Sequence, residues 1–283
     1  MTIPDGFLFS QGNLQDYVDC QRRFQLRHLL HQAWPAVEAE PFLEFEHKME
    51  QGARFHRIVR QHLLGISTPV IEGSIRDDTV INNWWLNYKH LRDEGLLRQI
   101  LESGKHFEEI TLSSPISRFR LVAKYDLLII QPDGKLIIMD WKTSQNHPKH
   151  KWLADRLQTH VYPYVLASAA STLTSKLQPD QVDIEMIYWF ANQPDQLESY
   201  RYDLHSYEYD ARYLENLILA IDRKLDAIFP LTADINRCLF CTYRSLCNRG
   251  IKPGELHQLD DWQEEISSEN FAIDYDQIGE IEF

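Results

Sequence analysis

The spacing of hydrophobic residues changes several times along this chain, and each change predicts a different element. In residues 11–30, Leu14, Tyr17, Val18, Phe24 and Leu26 fall on one side of a helix that Ser10 is placed to cap. Pro35 and Pro41 predict a break, and residues 44–64 read as a second helix. A third helical stretch, 77–101, is rich in Trp and Leu, with Trp84, Trp85, Leu86 and Leu91. The period then shortens. Residues 107–112, 119–130 and 136–141 are strand-like runs, and Pro132-Asp133-Gly134 predicts a hairpin between the last two. A helix over 151–170 follows, with Pro163 expected to bend or restart it. Strands at 182–190 and 196–202, a helix at 207–228 and a cysteine-bearing loop complete the pattern. Three meandering strands, a helix and further strands predict an α/β core with a helical N-terminal region attached.

The 283 residues are enough to bury about 70–75% of the unfolded surface, so no metal or disulfide is needed merely to own a core. No apolar run reaches the roughly 18–20 residues of a membrane span, and MTIPDGFLFS lacks a signal-like core. A cytoplasmic protein with no membrane partner is the expectation. The net charge of -13 argues against a generic nucleic-acid coat but not against an enzyme with a local basic surface. Most of that charge, a net -9, lies in 251–283, which reads as an acidic tail. Three stretches are therefore expected: helical 1–105, a core with its cysteine segment over 106–250, and the tail.

All four cysteines suggest one site. Cys238, Cys241 and Cys247 form a C-x2-C-x5-C run, and Cys20 lies far upstream. The spacing leaves tetrahedral zinc, a 4Fe–4S cube and a set of separate buried thiols open. A shared metal would tie the first helix to the C-terminus. The densest chemistry lies in LVAKYDLLIIQPDGKLIIMDWKT. Asp140 and Lys142, two apart on a strand, share a face, and the hairpin returns them beside Asp126. Facing carboxylates of this kind suit Mg²⁺ or Mn²⁺, with the lysine orienting water or countering phosphate charge. His56, taken alone, reads as a core or surface residue. Gln158 and Tyr162 are four apart on one helical face. Arg22, Arg23, Arg27, Arg54, Arg57 and Arg60 are candidates for phosphate contacts. The chain has no G-x-S-x-G motif and no G-x-x-x-x-G-K-[ST] loop, so neither a hydrolase elbow nor ATP-driven strand separation is assigned.

Together these residues resemble the RecB-like, iron–sulfur branch of the PD-(D/E)XK nuclease superfamily. That branch includes the RecB and AddB nuclease domains and CRISPR-associated RecB-like exonucleases. The resemblance runs through YVDCQRRF with Cys20, Gly52-x-x-x-His56, Asp126, Asp140-Trp141-Lys142-Thr143, Gln158-x-x-x-Tyr162 and the terminal cysteine run. It implies a restriction-endonuclease-like core, a mixed sheet flanked by helices, with the helical region tied to the C-terminus by a 4Fe–4S cluster on Cys20, Cys238, Cys241 and Cys247. It further implies Mg²⁺ or Mn²⁺ held by His56, Asp126, Asp140 and the Trp141 carbonyl. Lys142 assists the attacking water, Gln158 positions the lysine or the DNA backbone, and Tyr162 lies beside it. The implied activity is metal-dependent DNA cleavage, as an exonuclease in repair, recombination or CRISPR adaptation. The DNA would be single-stranded or carry a free end, with a separate helicase or pathway partner. The alternative is a DNA-binding scaffold subunit with weak or absent catalysis.

Overall fold

A computed structural model describes residues 3–33, 40–145, 148–173, 183–224 and 227–252. The acidic tail expected over 251–283 lies outside these residues from 253 onward, and Pro35 of the expected break lies outside them too.

Among the described residues the sheet is mixed and has six strands: β1 (Leu8–Ser10), β2 (Lys105–Ile116), β3 (Phe119–Ile130), β4 (Leu136–Lys142), β5 (Ile184–Phe190) and β6 (Leu197–Tyr202). β3 is the organising strand. β2 pairs antiparallel along one edge from Phe119 to Ile130, with the rung at Asp126 missing. The other edge is shared in tandem: β1 runs parallel to residues 120–122, and β4 runs antiparallel to residues 127–130. Residues 123–126 are left without a ladder partner on that edge. β4 turns away from β3 there and continues beside β5 alone. Gly134, at φ +93, supplies the left-handed residue of the hairpin that joins them.

Helices cover both faces. On one lie α1 (Gln11–Asp19), α2 (Gln21–Phe24), a π-helical turn (Gln25–Leu29), α7 (His150–Ala154), α8 (Leu157–Leu173) and α9 (Leu204–Asp222). Their core includes Leu14, Phe24, Tyr125, Leu128, Leu136, Ile138, Val161 and Val165. On the other face lie α3 (Glu40–Leu63), α4 (Thr68–Ile75), α5 (Thr79–Asp93) and α6 (Leu96–Ser103). There Phe55, Trp84, Trp85 and Tyr88 pack on Leu127, Ile137, Met139, Trp141 and Trp189. The sidedness follows from the strand period of two: Leu136 and Ile138 face one layer, Ile137 and Met139 the other.

Several sequence expectations need correction. The helix expected over 77–101 is two helices, because Glu94-Gly95 interrupts the pattern. α4 and the three-residue β1 carry too few periodic positions to stand out. Pro41 lies inside the first turn of α3, where a proline costs no helical hydrogen bond, so the chain is already helical there. α8 runs through Pro163 without restarting. An interior proline costs about 3 kcal/mol, but Val161, Tyr162, Val165 and Leu166 on the flanking turns are all buried, and that packing holds the helix together.

The expected tie between the first helix and the C-terminal segment exists, but it is polar. Gln25 is fully buried; its amide donates to the Ala227 carbonyl at 2.9 Å and accepts from the Phe229 N–H at 2.9 Å. The Arg22 N–H donates to the Pro230 carbonyl, and the Tyr243 hydroxyl to the Gln32 carbonyl. Arg237, beside Cys238, reaches Asp19, beside Cys20, at 2.7 Å. Asp16 is surrounded by Arg23 (2.6 Å), Arg27 (2.9 Å) and His28 (2.8 Å). Among the described residues no helix is long and apolar enough to cross a membrane.

Candidate active site in the strand fork

The fork where β4 leaves β3 brings the sequence-predicted acids together. The antiparallel register pairs Leu127 with Met139, so the next rung sets Asp126 opposite Asp140. Divergence of the strands leaves the Trp141 N–H without a strand partner on β3. It donates instead to Asp126 Oδ2 at 2.9 Å. The other oxygen of Asp126 meets His56 Nδ1 at 3.1 Å, from α3. Gly52, one turn before His56, is what allows this approach: a Cβ there would lie 2.9 Å from the Thr143 hydroxyl.

Asp140 and Lys142 point to the α8 side, as alternation requires. Lys142 Nζ lies 2.9 Å from Asp140 Oδ2 and donates to Gln158 Oε1 at 2.8 Å. The Gln158 amide in turn donates to Asp140 Oδ1 at 2.7 Å. The three side chains close a triangle, and all three are buried. Lys142 also lies 5.3 Å above the Tyr188 ring. Tyr162 stands one turn beyond Gln158, but its ring packs on Tyr125 at 5.2 Å and its carbonyl accepts the Tyr125 hydroxyl. It sits in the core behind the triangle. The Trp141 ring points to the opposite layer, edge-on to Tyr88 and Trp189.

The two acids are pushed apart in acidity. Burial lifts Asp140 to about 6; Lys142 pulls it down, but Asp126 adds repulsion. Burial acts on Asp126 in the same sense, yet His56, the Trp141 N–H and Lys142 outweigh it and hold this acid below its usual range. Burial disfavours the His56 cation, and Asp126 more than offsets that, so the imidazole is held above its ordinary value.

The cofactor expectations do not survive. Among the described residues no group of three or more His, Cys, Asp or Glu side chains is arranged to hold a metal ion. This corrects both the Mg²⁺ or Mn²⁺ site expected on His56, Asp126, Asp140 and Trp141 and the 4Fe–4S cluster expected on the cysteines. In the fork, the carboxylate oxygens are engaged by His56, the Trp141 N–H, Gln158 and Lys142. Cys20, Cys238, Cys241 and Cys247 are free thiols close enough to repel one another when ionised. Burial pushes Cys238, Cys247 and Cys241 up, Cys241 to about 11.

Most of the candidate phosphate-binding arginines are also committed. Arg23 and Arg27 hold Asp16, Arg22 donates to Gln25, and Arg54 to the Ser74 carbonyl. Arg60 pairs with Glu109 at 3.2 Å. Arg57 is exposed.

The sequence did not point to Asn192. Its side chain accepts the Trp84 indole N–H at 2.8 Å and donates to the Thr143 and Ser144 carbonyls at 3.0 and 2.8 Å. It ties the exit of β4 to α5, although in sequence it reads only as a turn residue.

No curated protein matches this chain. Among solved structures it is similar to SSO0001, with 13% identity over 87% of this chain and 88% of that one, at a TM-score of 0.38. It is also similar to a protein of Eubacterium rectale provisionally named an exonuclease, with 8% identity over 76% and 79% and a TM-score of 0.49. Overlaps this loose carry no argument about activity. A family model described as the PD-(D/E)XK nuclease superfamily matches residues 8–248. That match begins at β1, takes in the fork with Asp126, Asp140 and Lys142, and ends just past Cys247, and by it the chain belongs to the PD-(D/E)XK nuclease superfamily.

Proposed function

We propose that this protein is a nuclease that hydrolyses DNA phosphodiester bonds at the β3–β4 fork, acting as an exonuclease on single strands or free ends. One observation supports this above the rest. Two adjacent buried acids are driven apart in acidity, one held ionised and one lifted to about 6, with a lysine ammonium against the second. Such a division suits proton transfer near neutral pH. On this reading Asp140 exchanges a proton with the attacking water, and Lys142 balances negative charge at the phosphate. Gln158 orients both, Asp126 holds His56, and Tyr162 supports Gln158 from the core. The helical stretch 1–105 and the core 106–250 then act as one unit, since each gives residues to the site. With no nucleotide-binding loop to drive strand separation, a helicase or a repair or CRISPR partner would supply opened DNA.

A second reading has an observation in its favour. Asp140, Lys142 and Gln158 hold one another through two hydrogen bonds and one ion pair, which also suits a DNA-binding scaffold subunit in which the triangle only holds the fold. The deciding experiment uses end-labelled single strands, linear duplex and circular DNA, run in parallel with divalent salts and with chelator. Wild type should shorten linear substrates from an end, and Lys142→Ala should slow this by about a hundredfold. Equal rates for the two proteins sink the assignment. Binding without cutting by both proteins leaves the scaffold reading.

A further inference from the structure

Among the described residues, Glu109 is the one near the fork whose backbone breaks the rule for a strand. It lies inside β2 at φ +47, a left-handed angle that a side chain other than Gly, Asn or Asp adopts at a cost. It also occupies a particular rung. β2 and β3 keep one register on both sides of it, with Glu108 opposite Leu127 and Ile110 opposite Tyr125. The missing rung therefore sets Glu109 opposite Asp126. No residue is inserted, yet both strands change face there. Tyr125 and Leu128, three apart, both enter the core beneath α8, as do Phe107 and Ile110 across from them. Strict alternation would put the members of each pair on opposite faces. Asp126 stands at this reversal.

The Glu109 side chain spans the same place. One of its oxygens, Oε2, lies 3.2 Å from Arg60 and 3.2 Å from Lys124. Arg60 is one helical turn beyond His56 on α3, and Lys124 is two residues before Asp126 on β3. The carboxylate is mostly covered while both cations reach toward water, with 17% of the glutamate side chain exposed against 47% and 59%. A lone exposed ion pair would contribute little. This one joins the helix that carries the histidine to the strand that carries the aspartate, beside the point where they touch.

We propose that Glu109 is a positioning residue: its carboxylate, bridging Arg60 and Lys124, fixes α3 against β3 at the distance at which His56 meets Asp126. The inference deepens the nuclease reading and rests on it only for the kinetic part of its test. Glu109→Gly removes the carboxylate while accepting the backbone angle freely. Glu109→Gln keeps the length and removes the charge.

The first measurement needs no activity. Long-range ¹H–¹⁵N NMR of the histidine rings, with His56 assigned by His56→Gln, reads the Nδ1 contact with Asp126 directly. Both Glu109 variants should shift or broaden the His56 signals while the thermal midpoint stays within about 3 °C of wild type, as expected for a change at a partly exposed pair. Unchanged His56 signals in both variants overturn the proposal. So does a large drop in midpoint with those signals intact, which would make Glu109 a stabiliser only. If Glu109→Gly fails to fold, Glu109→Gln carries the comparison. The second measurement is cleavage. The kcat should fall about tenfold with KM within about twofold, because misplacement acts on reacting groups and not on binding. A raised KM with unchanged kcat instead gives Arg60 and Lys124 to the substrate phosphates and overturns the positioning role. A wild type that cuts nothing removes the nuclease reading, while the His56 signals still decide the role of Glu109.

Discussion

Among the described residues, the buried polar cluster at the strand fork and the one where the first helix meets the C-terminal segment are balanced in opposite ways. At the tether, Asp16 faces Arg23, Arg27 and His28, and Asp19 beside it shares Arg23 and meets Arg237; burial would lift the Asp16 pKa, but the two guanidinium groups and the His28 hydrogen bond drive it far below the usual range. At the fork, two carboxylates share one lysine and one histidine, and Asp140 rises to about 6. An acid with surplus cations is fixed in a single charge state and serves as structure. An acid short of cations sits where its proton can move. Burial alone does not separate the two roles; the local charge count does.

The largest effect should come from breaking the tether. Asp16→Asn leaves Arg27 without its anion and Arg23 with Asp19 alone, and should cost about 3 kcal/mol, the low end for a broken buried pair, read by denaturant unfolding. Its sign with pH is fixed. A depressed carboxyl pKa contributes stability fully above the unfolded value, near 3.9, and loses it as pH falls toward the folded value. Wild type should therefore lose stability more steeply than Asp16→Asn below about pH 4. Similar slopes would remove Asp16 from the tether.

Next in size, Lys142→Ala should cut activity by about a hundredfold, roughly 2.7 kcal/mol in the barrier, while the tether variants retain full activity per folded molecule. Loss of activity in folded Asp16→Asn would erase the distinction between the clusters. Gln25→Ala removes both ends of a buried amide bridge and should cost about 1–3 kcal/mol in unfolding, with kcat untouched. The smallest effect is expected from Asn192→Ala, a kcat loss of about threefold from a looser β4 exit, with thermal midpoint little changed. Carboxyl ¹³C NMR sharpens the contrast without any variant: Asp140 should titrate near 6, while Asp16 stays ionised below pH 3. Two overlapping curves in the ordinary carboxylate range would end it.

How much of this could be read from residues alone depended on range. The β2–β3–β4 meander and its hairpin were legible because strand period and turn chemistry are local, and Asp126, Asp140 and Lys142 are brought together by that local geometry, whereas Gln158, on a helix beyond the meander, was pointed to only by the order of motifs. His56 was not legible by itself; its partner is 70 positions away, and only the order of motifs pointed to it. Glu109 and Asn192 carried no signal, since a backbone angle and a pair of carbonyl contacts leave no pattern in a sequence. The cysteines show the opposite failure. Their spacing invited a metal, whereas the join beside them is made by Gln25, Asp16, Asp19 and Arg237.

The tandem sharing of one edge of β3 also bears on how the N-terminus can be altered. β1 is only three residues long, yet it covers the backbone of residues 120–122. Deleting or displacing it would uncover a short row of unpaired N–H and C=O groups directly beside the fork, a template for strand addition by another chain. A purification tag that pulls on Leu8–Ser10 should therefore produce self-association before it produces unfolding.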